Sequence, residues 1–129
     1  ESIIQQLGKD VKLTRRGINS WEIEEGSAKI LITYNQESFF VIGDAILCSL
    51  PKTNIGPIYE YLLRENYHLK SLTFSVNNNN IVLSLLIYDE DMAIETGLAC
   101  FRNLAEKADY YDNILIENYG ALPRIEEKF

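Results

Sequence analysis

The residues that could perform acid–base, nucleophilic or metal chemistry are few in this chain and lie far apart. The single histidine, His68, lies where a helix is predicted to pass into a strand. A lone histidine in such a connection is more often solvated or capping than catalytic or metal-binding. Cys48 and Cys100 have neither C-x-x-C spacing nor neighbouring histidines that would complete a zinc site. We therefore expect two buried, reduced thiols, and a disulfide or redox pair is the less favoured alternative.

Four carboxylates near the C-terminus fall at helical spacing: Glu106, Asp109, Asp112 and Glu117. Paired carboxylates can perform general acid–base catalysis, but a solvated acidic helix face is the commoner result of this pattern. The sequence contains no phosphate-binding loop, nucleophile elbow or dinucleotide fingerprint. We expect no catalytic residue, no cofactor and no metal site, so the sequence favours a protein that is not an enzyme.

The negative net charge of the chain disfavours two classes of partner. The 129 residues carry a formal net charge of −7 at pH 7. Such a surface repels nucleic-acid phosphates and anionic lipid, and the basic pair Arg15 and Arg16 is too short to reverse this. The sequence shows neither a run of 18 apolar residues nor a signal peptide. We expect no nucleic-acid partner, no membrane association, a cytoplasmic location, and one domain over residues 1–129.

The clearest structural element is a β-hairpin that turns on the four asparagines 77–80. On its first strand, apolar residues from Leu72 to Val76 alternate with serine and threonine, which is the period of a half-buried strand. Asparagine tolerates positive φ, so the run suits a tight turn better than a ligand site. The alternation predicts that Phe74 lies opposite Leu83 and Leu72 opposite Leu85.

A long helix is predicted to close the chain. It has a plausible N-cap at Asp91, stops at Gly120 before Pro123, and would be roughly 37 Å long. Its apolar stripe has spacings of three and four and is interrupted by Asp112: Leu98, Phe101, Ala105, Ala108, Leu115 and Tyr119.

The N-terminal half supplies a short helix and three strands. Apolar residues at helical spacing predict the helix: Ile3, Ile4, Leu7 and Val11. The strands contain Trp21 and Ile23, then residues 28–34, then residues 39–50 with a bulge or bend at Gly43 and Asp44. The order α-β-β-β-α-β-β-α predicts an α+β fold, with helices packed on a twisted antiparallel sheet of about five strands.

The middle helix, capped by Asn54, is apolar in more directions than one small sheet can cover. Ile58 and Leu62 form one row, and Tyr59 and Leu63 form a second. Tyrosine is favoured at interfaces, where its ring is buried and its hydroxyl is wet. We therefore expect a homodimer interface made from Ile58, Tyr59, Tyr61, Leu62 and Leu63. The alternatives are burial under the N-terminal segment and ordinary exposed aromatic residues.

The second half of the chain resembles the type III secretion chaperone-like superfamily, of the Tir-chaperone and YbjN-like types. The segments that carry this resemblance are residues 58–66, 72–76, 81–83 and 104–109, and the predicted order of elements extends it over the whole chain. The resemblance implies a small acidic homodimer, built around its middle helix, that holds an extended segment of another protein.

Three classes of function remain open. The first is a dimeric chaperone-like or adaptor protein that binds an extended partner peptide through strand edges and apolar grooves. The second is a regulatory or structural interaction protein of unknown partner on the same scaffold. The third, an enzyme, is the least favoured, and it would need a deep polar pocket around His68 or the acidic residues.

Overall fold

The computed structural model describes residues 15–25, 28–88 and 94–124. Its elements in chain order are the strands and helices β1 (Arg15–Gly17), β2 (Ser20–Glu25), β3 (Ala28–Asn35), β4 (Phe40–Ser49), α1 (Ile55–His68), β5 (Leu72–Asn77), β6 (Asn80–Tyr88), α2 (Ile94–Tyr119) and β7 (Leu122–Pro123). The predicted N-terminal helix of Ile3, Ile4, Leu7 and Val11 lies outside the described residues, as does the predicted N-cap Asp91.

Seven strands of the described residues form one antiparallel sheet in the order β1-β2-β3-β4-β6-β5, with β7 paired to the end of β4. The predicted meander is present as β2-β3-β4, and α1 carries the chain to the edge strand β5. The sheet exceeds the predicted five strands because two short pieces, β1 and β7, add to it. The predicted α+β class is confirmed.

The asparagine hairpin has the predicted register. Leu72 pairs with Leu85 and Phe74 pairs with Leu83. The turn itself is Asn78 and Asn79, whose φ angles are 49° and 66°. Two successive positive φ angles are characteristic of the two-residue turn that matches the twist of hairpin strands. The asparagines are therefore explained by backbone geometry.

Helices α1 and α2 contribute to one core with a single face of the sheet. The side of α2 that is buried consists of Phe101, Leu104, Ala108, Tyr111 and Leu115. The buried side of α2 is therefore rotated relative to the predicted stripe, which did not include the buried residues Leu104 and Tyr111. Leu98, Ala105 and Tyr119 are half-buried, and Trp21 of β2 is buried.

Gly43 is not at a bulge. The register between β3 and β4 is continuous from Lys29↔Ile46 to Asn35↔Phe40, and the irregularity lies between Ile46 and Cys48. A Cβ atom added to Gly43 would lie 2.6 Å from Cε1 of Phe101. The glycine is required because α2 crosses β4 at this point, which leaves no room for a side chain.

The beginning of α1 and the end of α2 have left-handed backbone. Asn54 occupies the N-cap of α1 with φ 58°, but its side chain makes no capping hydrogen bond, so the predicted side-chain cap is absent. Gly120 ends α2 with φ 71°, as predicted, and the amide of Ala121 donates to the carbonyl of Leu115 over 3.1 Å. The following residues return to the sheet, where the Ser49 hydroxyl donates to the Pro123 carbonyl.

Candidate binding surfaces

His68 and the cysteines do not come together as a chemical site. His68 is the exposed last residue of α1, and its ring packs edge-on against Tyr67 with the centroids 5.2 Å apart. Cys48 is buried and Cys100 is half-buried, and both are free thiols. Burial, and then the negative charge of Asp112, raise the pKa of the Cys48 thiol to about 12. The prediction of two buried thiols is therefore correct for Cys48 and too strong for Cys100.

The acidic residues of α2 form a largely solvated face. Glu106, Asp109 and Glu117 are exposed, whereas Asp112 is half-buried. The Oδ1 atom of Asp112 is buried without a hydrogen-bond partner among the described residues. Desolvation and the nearby Asp109 raise the pKa of Asp112, and Arg124 opposes this shift. Among the described residues, no three His, Cys, Asp or Glu side chains are grouped as a metal site.

The side of α1 that faces α2 is an aromatic contact. The Tyr111 hydroxyl donates to Oε1 of Glu65 over 3.0 Å, and the Tyr61 ring lies 4.7 Å from that of Tyr119. Desolvation, followed by the charge of Glu65, raises the pKa of Tyr61 to about 12. Of the five candidate interface residues, Tyr61 is thus half-buried within its own chain, where it helps to hold α1 against α2.

The remaining four candidates divide into an inner and an outer row. Ile58 and Leu62 are buried in the core beneath α1. Tyr59 and Leu63 point to the opposite side, and the next residue at the same spacing, Tyr67, continues their row. Their exposed fractions are 42%, 70% and 86%. We call Tyr59, Leu63 and Tyr67 the outer stripe of α1. It is an uncovered apolar surface at helical spacing.

Asn66 lies between the outer stripe and the edge strand β5. Its side-chain carbonyl accepts a hydrogen bond from the Phe74 amide over 2.7 Å, and its NH₂ group donates to the Phe74 carbonyl over 3.4 Å. Both outward-facing backbone groups of Phe74 are therefore engaged by α1. An edge strand with free backbone groups pairs readily with other chains, so Asn66 closes the middle of this edge.

The face of the sheet opposite the helices has unusual chemistry. Side chains alternate along a strand, so the residues of β3, β4 and β6 that point away from the helices form this surface, which we call the open face: Lys29, Leu31, Thr33, Asn35, Phe40, Ile42, Asp44, Ile46, Val82, Ser84, Leu86 and Tyr88. The solvated face of an antiparallel sheet is normally polar. Here five of the twelve side chains are aliphatic and two more, Phe40 and Tyr88, are aromatic, which is typical of an interaction surface.

Asp44 occupies the centre of the open face. It pairs with Leu31 on one side and with Ser84 on the other, and Ile42 and Ile46 are its neighbours along β4. The Ser84 hydroxyl donates to Oδ1 of Asp44 over 2.6 Å. Neither residue is among the site candidates predicted from the sequence, although the alternation of β4 places Asp44 on the same face as the two isoleucines.

Two shallow depressions meet at Asp44 and Ser84. The larger, of about 580 Å³, extends over Ile42 and Leu86 toward Leu69 and Ser71 at the end of α1. The smaller, of about 130 Å³, extends over Ile46 and Val82 toward Asn77. Together they form a groove that runs along β5, β6 and the adjacent part of β4, from Ser71 at one end to Asn77 at the other. With a rise of about 3.4 Å per residue, its length is about 20 Å, or six residues of extended chain.

The described residues thus have an antiparallel sheet with both helices on one face, an outer stripe on α1 and a groove on the open face. Neither described helix combines the length and apolarity needed to span a membrane. No family model matches the sequence. A search of curated proteins also finds no match.

Solved structures do match. The chain is similar to one in the ExsC–ExsE complex, with a TM-score of 0.69, 15% identity, and coverage of 87% of this chain and 86% of that one. It is also similar to a chain in the complex of the Yersinia pestis type III secretion chaperone SycH with a fragment of YscM2, with a TM-score of 0.61, 13% identity, and coverage of 84% and 92%.

A third similar structure is YbjN from E. coli, with a TM-score of 0.64, 11% identity, and coverage of 93% and 90%. These structures confirm the predicted resemblance at the level of fold. The chain has the fold of the type III secretion chaperones and of YbjN. At such low identity the similarity defines the fold alone.

Proposed function

We propose that this protein is a dimeric, non-catalytic chaperone-like or adaptor protein that binds an extended segment of a partner protein in the cytoplasm. The observation that carries the proposal is the groove on the open face, where aliphatic side chains border a continuous path about six extended residues long. The proposal is also supported by two structures of similar fold, which were solved as complexes with another protein.

A groove of this shape suits an extended chain better than a compact ligand. Small-molecule pockets of about 300–1,000 Å³ usually enclose most of their ligand, whereas the larger depression of this groove is open to solvent. An extended segment can place alternate side chains into such a groove while its other side chains remain in water. The aliphatic lining, with Ile42, Ile46 and Leu86 among its members, would bury the apolar half of that segment.

A selection from a library of random displayed peptides tests the binding proposal. The wild-type protein should enrich peptides with apolar residues at alternate positions. Leu86→Lys should abolish that enrichment, because it places a charge at the exposed end of the groove. Since Leu86 is 47% exposed, this variant should still fold. Tyr110→Lys, at an exposed position on α2, is the matched control and should select the same peptides as wild type.

No enrichment by a folded wild-type protein would contradict binding of extended segments. Equal enrichment by Leu86→Lys would show that peptides bind elsewhere. If the protein dimerises and selects no peptide, the alternative of a regulatory or structural interaction protein is supported instead.

We propose that the homodimer forms through the outer stripe of α1. Ile58 and Leu62 are already covered within the chain, so Tyr59, Leu63 and Tyr67 are the residues that a second copy would bury. A twofold contact would place the same stripe on both sides of the interface. A specific dimer of this kind needs roughly 1,200 Å² or more of buried surface, so the contact would extend beyond three side chains to neighbouring parts of α1 and β5.

Light scattering tests the dimer. The wild type should have about twice the 14.8 kDa mass of one chain. Leu63→Arg should shift it toward monomer because a charge at the centre of the stripe would be buried without a partner. Asn103→Arg adds the same charge at an exposed position of α2 and should leave the mass unchanged. A wild-type monomer at high micromolar concentration would rule the dimer out.

A further inference from the structure

Asp44 is the one charged residue in the lining of the groove, whose other described residues are aliphatic, serine, threonine or asparagine. Its four nearest positions on the open face are Leu31, Ile42, Ile46 and Ser84, and three of these are aliphatic. The groove passes over it from both directions, because both depressions include Asp44 and Ser84 in their lining. Any segment that follows the groove must therefore cross this carboxylate.

The carboxylate has one polar contact among the described residues. Ser84 donates to Oδ1, which fixes the orientation of the carboxylate without neutralising its charge. Arg16 of β1 and Lys29 of β3 both contact Glu22 of β2. Nε of Arg16 lies 2.8 Å from Oε2 of Glu22, and Nζ of Lys29 lies 2.8 Å from Oε1 of the same residue. No ion pair joins Asp44 to a cation of the described residues.

A purely apolar segment would bind poorly across such a residue. Covering Asp44 with aliphatic groups would remove a half-solvated charge from water without replacing its hydration. A basic side chain would replace this hydration and would form a charge-assisted hydrogen bond with Asp44. Charge complementarity of this kind also sets the register of a bound chain, since one residue of the segment must lie over one residue of the groove.

We propose that the open face selects an extended protein segment with a lysine or arginine at the position over Asp44 and apolar residues two positions before and after it. Alternate residues of an extended chain point the same way, so the cation and both apolar residues would all face the groove. Asp44 is the residue that determines this specificity, and Ser84 orients it. The inference rests on the proposed function, because it names the chemistry of the segment that the groove would bind.

The peptide selection tests this inference through the sequences that it enriches. Wild-type protein should enrich lysine or arginine flanked at ±2 by apolar residues. Asp44→Asn, which keeps the shape and can still accept from Ser84, should retain the apolar pattern and lose the basic preference. Asp44→Lys should prefer aspartate or glutamate at the same position. Glu37→Gln removes an exposed charge in the β3–β4 turn and should select as wild type does, which separates a local effect from net charge.

Affinity measurements on one synthetic peptide from the wild-type selection give the coupling energy between Asp44 and the basic residue of the peptide. Replacing its basic residue with methionine should weaken binding to wild type by about tenfold or more, which is a coupling of at least about 1.4 kcal/mol. The same replacement should have little effect on binding to Asp44→Asn. Alternating apolar peptides without a basic preference, bound equally by Asp44→Asn, would overturn this inference and leave the proposed function standing. Absence of any selected peptide would overturn both.

Discussion

Replacing Gly43 with alanine measures how closely helix α2 packs on the sheet. An ideal Cβ at this position would lie 2.6 Å from Cε1 of Phe101 and 3.2 Å from Cδ2 of Leu104. Both neighbours are fully buried, so neither ring nor methyl group can move freely into solvent. The added methyl group must displace the helix, rotate Phe101 away from its preferred rotamer, or bend the strand.

Two opposing effects determine how much Gly43→Ala changes the free energy of unfolding. Alanine in place of glycine within a strand is ordinarily stabilising by roughly 0.5–1 kcal/mol, because glycine loses more backbone entropy on folding. An extra methyl group in a well-packed core costs typically about 1–3 kcal/mol. The difference predicts that Gly43→Ala lowers the free energy of unfolding by about 1 kcal/mol, and by no more than about 2.5 kcal/mol.

Gly56→Ala is the matched control. A Cβ at Gly56, in the first turn of α1, meets no atom within 4 Å, so alanine there should stabilise the protein by roughly 0.5–1 kcal/mol. Urea unfolding of both variants should therefore move the midpoint in opposite directions, with unchanged slopes. In a Phe101→Leu background, which removes the clashing ring atom, the cost of Gly43→Ala should fall. A Gly43→Ala protein as stable as Gly56→Ala would show that α2 does not cross β4 here.

Two further predictions concern the reactivity of the cysteine thiols and the charge of Asp112. Cys48 should not react with a thiol reagent between pH 6 and 9 until the protein unfolds, because burial raises its pKa to about 12. The half-buried Cys100 should react faster, and rapid labelling of Cys48 in the native state would contradict its burial. Asp112→Asn should raise the urea midpoint at pH 7. The raised pKa of Asp112 means that the folded state disfavours its charged form, so this cost is present above the native pKa and disappears as both states protonate at lower pH. The gain from Asp112→Asn should therefore shrink toward pH 3, and a gain that is constant with pH would refute the electrostatic explanation.

The hairpin could be predicted in detail because all of its determinants are local. Alternation along residues 72–76 and 81–87 defines the buried face, and Asn78 and Asn79 supply the positive φ angles that the turn needs. The register then has one solution. The long closing helix was predictable for the same reason, since Gly120 and Pro123 mark its end.

The sequence could not show which apolar row of a helix faces the sheet. Ile58 with Leu62 and Tyr59 with Leu63 are equally good candidates by spacing, and only the position of the strands places the first pair inward. For the same reason, the predicted stripe of α2 differs from the side that is buried. Gly43 was misread because a glycine in a strand indicates either a bulge or a close approach, and the approach of α2 is a tertiary contact. The dimer interface, the single domain over residues 1–129 and the cytoplasmic location stay predictions.

The closed edge of β5 limits how this protein can bind an extended chain. An extended partner segment could in principle bind at a strand edge or in an apolar groove. Asn66 already forms, with Phe74, the two hydrogen bonds that an added strand would make at the middle of β5. A pairing chain would have to displace Asn66 and would leave its half-buried amide without these partners, at a cost of about 1–3 kcal/mol. Recognition by side chains on the open face requires no such displacement, which is why we assign the extended segment to the groove across Asp44.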